Sequence, residues 1–334
     1  MDSAPHPPDE ERGPDEERGR HDERGRGLLV VRNPASGSAV IRLDPASRFA
    51  ERLPAAEVRE LRDGDDLEDV VAQAMAADPA PTVLGVYGGD GSVSRMADLA
   101  RHYGRPLLAM PGGTFNHFVR ALGIDSVDAA IDAYEAGSTV EVGVAEVRAD
   151  DDEALTVLNV VSVGAYPALI EERERRNSLG KWIGGVVATA VALRRAEPLT
   201  IVRAGRRARV WSVFVSVGRN DPDRVATMQR QEAETGVLDV RIHHARGSKV
   251  RALASLAFGK RTAAVMRAVR LFPRDEDVER LVLRELELDV RPEPGHPSVF
   301  VHDGELEQRA SGGFRLRCVA VPAAVTVFAP TRQP

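Results

Sequence analysis

Three times in its first third the chain runs from a short apolar stretch into a glycine-bearing turn. The runs are LLVVRN (28–33), TVLGVYGG (82–89) and PLLAMPGG (106–113). An unbroken apolar run of this length, closed by turn residues, is what a strand buried on both faces requires. EVREL (57–61) offers another strand. Helix-like stretches lie between and after them: near 44–52, DLEDVVAQAMA (66–76), SVSRMADLARHY (92–103), TFNHFVRAL (114–122) and SVDAAIDAYEAG (126–137). Strands alternating with helices through short loops predict a doubly wound α/β layer with a parallel sheet. In such a sheet the glycine turns emerge together at the carboxyl edge, where ligands bind.

The turns are Asn33-Pro34-Ala35-Ser36-Gly37, Gly88-Gly89-Asp90-Gly91-Ser92 and Pro111-Gly112-Gly113-Thr114-Phe115-Asn116. Glycine lets a backbone approach a phosphate closely and turn its N–H groups toward it. Ser92 and Thr114 are each expected to open a helix, whose N-terminus also favours an anion. One such turn is most often only a tight connection. Three on one edge, with Asp90 inside one of them, point to a nucleotide or another polyphosphate. The common alternatives fail on spacing. There is no G-x-x-x-x-G-K-[ST], since Lys181 precedes Trp182 and Lys260 precedes Arg261. No G-x-G-x-x-G follows the first strand, and no His/Cys cluster has metal-ligand spacing. His243 and His244 are neighbours on a strand, facing opposite ways, and read as structural or exposed.

After about residue 138 the pattern changes to strands joined by turns: STVEVGVAEVRA, ALTVLNVVSVGAY, LTIVRA, ARVWSVFVSVG, VLDVRIHH, RLVLRELELDVR, SVFVHDGE, FRLRCVAV and VTVFA. Helices are expected at 178–195 and 248–271. This gives a disordered charged tail (1–26), a nucleotide-binding α/β domain (27–138), a β-rich, sandwich-like domain (139–329) whose last strands can pack back on the first, and a short tail (330–334). A cleft is expected between the two domains. The leading tail repeats DEERG and buries too little to offset its ordering entropy. A net charge of -6 gives no global attraction for nucleic acid. The single cysteine, Cys318, lies in a strand-like run and reads as a core side chain in a reducing compartment. No apolar run reaches the roughly 18 residues of a membrane span, and the N-terminus lacks a signal-peptide core, so a soluble, cytoplasmic protein is expected.

NPASG, GGDGS and PGGTFNHF, in this order and spacing, resemble the diacylglycerol kinase catalytic-domain family of bacterial lipid kinases and sphingosine and ceramide kinases. The GGDG turn is shared with NAD kinases and phosphofructokinases. The β-rich second half and a late D-G-E triplet, Asp303-Gly304-Glu305, resemble the lipid kinases alone. On its own that triplet is a hairpin turn ending in an acid. The resemblance covers about 28–329 and implies an ATP-dependent lipid kinase using Mg²⁺. It implies that Asn33, Ser36 and Gly37 line the nucleotide site, and that Gly88, Gly89, Asp90, Gly91 and Ser92 cradle the phosphates. It places Asp90 near Mg²⁺, through water, has Gly112, Gly113, Thr114 and Asn116 close the phosphate side, and makes Glu305 the general base.

The chain departs from the family pattern at several places. Ser94 and Arg95 stand where the second motif continues through Asn-Glu, and His117 stands where many relatives carry an acid. Glu234-Thr235-Gly236 replaces the acidic triplet of a structural Mg²⁺ site before Leu238-Asp239-Val240, which leaves that second site in doubt. Two other readings stay open: a degenerate, non-catalytic lipid- or nucleotide-binding protein, and an NAD kinase-like enzyme. The expected partner is a membrane lipid bearing a hydroxyl, met by transient contact at the inner face of the membrane. Candidate contacts are the basic amphipathic stretch 248–271 and the helix from Leu179. Lipid identity and oligomeric state are not legible in the sequence.

Overall fold

The computed structural model describes residues 23–33, 46–62, 64–113, 116–164, 197–220, 236–245, 277–309 and 312–331. Ser36, Gly37, Thr114, Glu234, Thr235 and the expected helices at 178–195 and 248–271 lie outside the described residues.

The first four strands are β1 (Leu28–Arg32), β2 (Glu57–Glu60), β3 (Val83–Gly88) and β4 (Leu107–Pro111). They pair in parallel in the order β2-β1-β3-β4. The apolar runs of β1, β3 and β4 are almost wholly buried, whereas β2 is an edge strand with Val58 exposed. The helices are α1 (Ala46–Arg52), α2 (Leu67–Met75), α3 (Asp90–His102), α4 (His117–Ala121) and α5 (Val127–Glu135). Asp66 caps α2 by accepting from the Glu68 N–H, and Ser126 caps α5 by accepting from that of Ala129. In α3, Val93, Met96, Ala97 and Ala100 recur at the three- and four-residue spacing of one helical face, and that face is buried against β3 and β4. This helix starts at Asp90, so Ser92 lies inside its first turn and does not open it.

The remaining strands are β5 (Thr139–Ala149), β6 (Leu155–Val157), β7 (Val160–Gly164), β8 (Leu199–Arg203), β9 (Arg206–Val217) and β10 (Leu238–His244). They continue with β11 (Val278–Leu283), β12 (Glu285–Arg291), β13 (Ser298–His302), β14 (Glu305–Arg309) and β15 (Phe314–Phe328). Among themselves they pair antiparallel, and the parallel pairing of β15 with β4 joins them to the first four as one mixed 15-stranded sheet ordered β14-β13-β7-β9-β8-β12-β15-β4-β3-β1-β2. β10 adds to β9, β11 to β10, β5 to β15 and β6 to β5. The α/β half and the strand-rich half each enclose their own hydrophobic core.

Two runs differ from their sequence reading. RLVLRELELDVR is two strands, broken at Arg284. Leu281 and Leu283 face the core at odd positions, and Leu286, Leu288 and Val290 at even ones. One strand cannot bury both sets on one face. Conversely, FRLRCVAV and VTVFA form the single strand β15, with a bulge between Val321 and Val325 around Pro322. Proline has no N–H to give a ladder, so a bulge is where it fits. Beyond the bulge Val325, Val327 and Phe328 enter the first core, and Val327 pairs with both Leu107 and Val140.

Candidate active site

The glycine turns after β3 and β4 touch backbone to backbone. The Gly112 N–H donates to the Gly88 carbonyl at 2.8 Å. A Cβ on Gly112 would lie 2.8 Å from the Gly88 nitrogen, and one on Gly113 would lie 2.5 Å from the Gly89 Cα. No side chain fits there. Asn116 adopts the left-handed conformation (φ 53°) and fastens the second of these turns to itself: its Oδ1 accepts from the Gly113 N–H at 2.8 Å and its Nδ2 donates to the Gly113 carbonyl at 2.9 Å. The first turn joins them through Asn33, whose N–H donates to the Tyr87 carbonyl and whose Nδ2 donates to Ser92 Oγ at 2.9 Å. Asn33, Gly88, Gly89, Asp90, Gly91, Ser92, Gly112, Gly113 and Asn116 thus form one contiguous edge.

At this edge α3 begins with no side chain capping it from Gly89. Its first-turn N–H groups and helix dipole are of the kind that could hold an anion. Asp90 is oriented by the His117 backbone N–H, which donates to its Oδ1 at 2.7 Å. Burial lowers the pKa of the His117 imidazole, while Asp90 and Asp303 act to raise it.

Glu305, the first residue of β14, reaches this edge from the other half of the chain. Its Oε1 lies 3.0 Å from where a Cβ on Gly91 would stand. Burial pushes its pKa above the usual glutamate range, and His302 and Arg95 act in the opposite direction. The β13–β14 hairpin turns through Asp303 and Gly304, with φ of 46° and 96°, the left-handed pair that a two-residue turn between twisted strands requires.

Asp303 is more than a turn residue. Its buried carboxylate accepts from Ser94 Oγ at 2.7 Å and from the N–H groups of Leu158, Asn159 and Val160 at 2.7–3.0 Å. One side chain therefore ties the hairpin carrying Glu305 both to α3, which carries Asp90, and to the start of β7. Sequence reasoning assigned Asp303 no role of its own. The signal available was Ser94, a hydroxyl on the otherwise apolar buried face of α3.

Arg95 lies close enough to Glu305 for their charges to interact. Its own ion pairs are with Asp66 at 2.8 Å and Glu68 at 3.3 Å, at the start of α2. Asp239, near the doubtful second metal site, is buried and clasped by Arg280 through Nε (3.0 Å) and Nη2 (2.5 Å), with the Asn220 N–H donating to it as well. Among the described residues no group of three or more His, Cys, Asp or Glu side chains is arranged to hold a metal ion. His243 is buried against Ser212, its pKa pushed down to about 4, and His244 meets Glu279. Cys318 is buried, with its thiol pushed up to about 12. A cavity of about 400 Å³, lined by Asp150, Asp289, Gly313 and Arg315 among others, contains none of the glycine-turn residues nor Glu305.

Residues 27–147 match the family model of the diacylglycerol kinase catalytic domain. Over that segment, about a third of its length, the chain is similar to the diacylglycerol kinase catalytic domain. The matched segment holds all three glycine turns and Asp90, and it ends inside β5, so Glu305 comes from beyond it. Among solved structures the chain resembles a diacylglycerol kinase from Bacillus anthracis strain Sterne, at 14% identity and a TM-score of 0.56, over 92% of this chain and 97% of that one. It also resembles a candidate diacylglycerol kinase from the same strain, at 17% identity and a TM-score of 0.59, over 92% of this chain and 98% of that one. At these identities the likeness is one of fold. It extends the comparison past the catalytic-domain match to the strand-rich half.

Proposed function

We propose that the chain transfers the γ-phosphate of ATP to a hydroxyl of diacylglycerol or a related lipid. The observation that carries this reading is the contact of Glu305 with Gly91. It sets a carboxylate from one half against the turn and helix N-terminus that would hold a triphosphate on the other. Phosphoryl transfer asks a protein mainly for positioning and charge stabilisation, with an acceptor for the attacking hydroxyl's proton. The backbone N–H groups of the Gly88–Ser92 turn would bind the phosphates, the packed glycines at 88–89 and 112–113 would fix their path, and Ser36, Gly37 and Thr114 would complete the nucleotide side. Glu305 would take the proton as the lipid oxygen bonds to the γ-phosphorus and the bond to the β,γ-bridging oxygen breaks, releasing ADP.

The Asp90 carboxylate at the phosphate edge fits Mg²⁺, which is commonly held by substrate phosphates, waters and one or two protein carboxylates. Asp90 is the residue that would hold it, through water. Bound there, Mg²⁺ would neutralise charge on the phosphates. The lipid would be met at the surface of a membrane by a protein that docks transiently; no described helix is long and apolar enough to cross one.

The test is mass spectrometry of lipids incubated with the full chain, ATP and Mg²⁺ in mixed micelles. A lipid gaining one phosphate is the expected result. Nucleotide binding with no phosphorylated product from any hydroxyl-bearing lipid would favour a non-catalytic binding protein instead.

A further inference from the structure

His302 closes β13 and is the cross-strand partner of Glu305. Partners in an antiparallel pair lie about 4.5–5.5 Å apart at Cα, with side chains on the same face. His302 is only 6% exposed. Its Nε2 lies 3.3 Å from Oε1 of Glu307, two residues along β14 from Glu305. A carboxylate only accepts, so this contact places the ring proton on Nε2 when the imidazole is neutral. Nδ1 is then a bare acceptor, and it is buried without a hydrogen-bond partner among the described residues. A buried ring nitrogen left unpaired is costly, so it calls for a partner that arrives with function.

We propose that His302 is a positioning residue: held at Nε2 by Glu307, it offers Nδ1 to the carboxyl of Glu305 across the hairpin and so aims that base at the acceptor hydroxyl. The inference rests on the reading of Glu305 as base. Once Glu305 has taken the proton of the acceptor hydroxyl it is a donor, and Nδ1 is the acceptor beside it. When the ring is charged instead, Nδ1–H is a donor and the ionised Glu305 accepts. Either way one proton is shared by the pair. The other charged groups facing Glu305 are Arg95 from α3, and Asp303 and Glu307 from its own hairpin. The electrostatics agree, since His302 is the largest influence opposing the upward push of burial on Glu305.

The experiment is an NMR titration of the substrate-free, metal-free full chain, following imidazole ¹⁵N and glutamate side-chain ¹³C signals. Glu305 is assigned by its disappearance in Glu305→Gln. Neutral His302 is expected as the Nε2–H tautomer. In His302→Gln the midpoint of Glu305 should rise, and in Glu305→Gln the imidazole ¹⁵N signals of His302 should shift, because coupling is reciprocal. An Nδ1–H tautomer, or a Glu305 midpoint and His302 signals that do not move, would overturn the proposal. If His302→Gln does not fold, the Glu305→Gln arm decides alone. Transfer assays separate the two claims. Loss of transfer in Glu305→Gln with independent titrations removes His302 but keeps the base; retained transfer with coupled titrations removes the base and leaves only a structural pair.

Discussion

At the scale of single residues, the site is a set of groups held where each alone is unfavourable. Burial raises the pKa of Glu305, so folding favours its protonated form. A group raised in this way contributes stability that is fully present below its ordinary pKa and is lost as pH rises through the folded value. Glu305→Gln is therefore expected to raise the melting temperature at neutral pH, with the gain vanishing below the ordinary glutamate range. Thermal melts across pH would show it. Asp303 is a structural group whose carboxylate satisfies four donors. Asp303→Asn must turn an amide N–H₂ toward at least one of them. A loss of about 2 kcal/mol by chemical denaturation is expected, with transfer falling alongside because Glu305 loses its tether. The acid-glycine-acid order of the triplet was plain in the sequence and marked Glu305. The role of Asp303 was not, because its partners lie in α3 and at the start of β7, 209 and 143–145 residues away in sequence.

At the scale of elements, the glycines divide into two kinds. At Gly112 and Gly113 an added Cβ meets the backbone of Gly88 and Gly89, which cannot rotate aside. Gly113→Ala is expected to separate the two turns and lower both stability and nucleotide affinity. At Gly91 the added Cβ meets only a carboxylate oxygen at 3.0 Å, and the residue lies within α3, where alanine is favoured over glycine by about 1 kcal/mol. Gly91→Ala should leave stability unchanged or improved while it displaces Glu305 and lowers transfer. Melting temperature and turnover measured on the same two variants distinguish these outcomes. The strand–turn–helix order was legible because each apolar run ends at a glycine. The start of α3 at Asp90 was less so, because helix propensity is low at Asp90, Gly91 and Ser92 and the tertiary edge fixes the first turn there. Likewise Asn116, read as a ligand contact, has its described side-chain bonds with Gly113 of its own turn.

At the scale of the whole molecule, β15 makes one cooperative unit of two cores. Leu316 and Cys318 lie in the strand-rich core, and Val325, Val327 and Phe328 lie in the α/β core. Val327→Ala is expected to cost about 2 kcal/mol. It should shift a single unfolding transition, so that fluorescence and circular dichroism move together and no separate melt of the first half appears. The same strand explains why the β-rich fold class was legible while its continuity with the first half was not. Alternation shows that a residue is in a strand, but the partner of a strand is a matter of topology, and the bulge at Pro322 hid that two runs were one. The contiguity of the sheet holds the hairpin of Glu305 at a fixed distance from the glycine turns, so the geometry at Gly91 is a property of the whole sheet.

The central claim is that Glu305 from the strand-rich half works against a nucleotide held by the α/β half. The most direct measurement is of Glu305→Gln by two readouts on one preparation: nucleotide binding by calorimetry, and transfer of labelled γ-phosphate to lipid in mixed micelles. The account predicts nucleotide affinity like that of the unmodified chain, with transfer reduced by about a hundredfold to ten-thousandfold. Transfer at the unmodified rate, with binding unchanged, would contradict it.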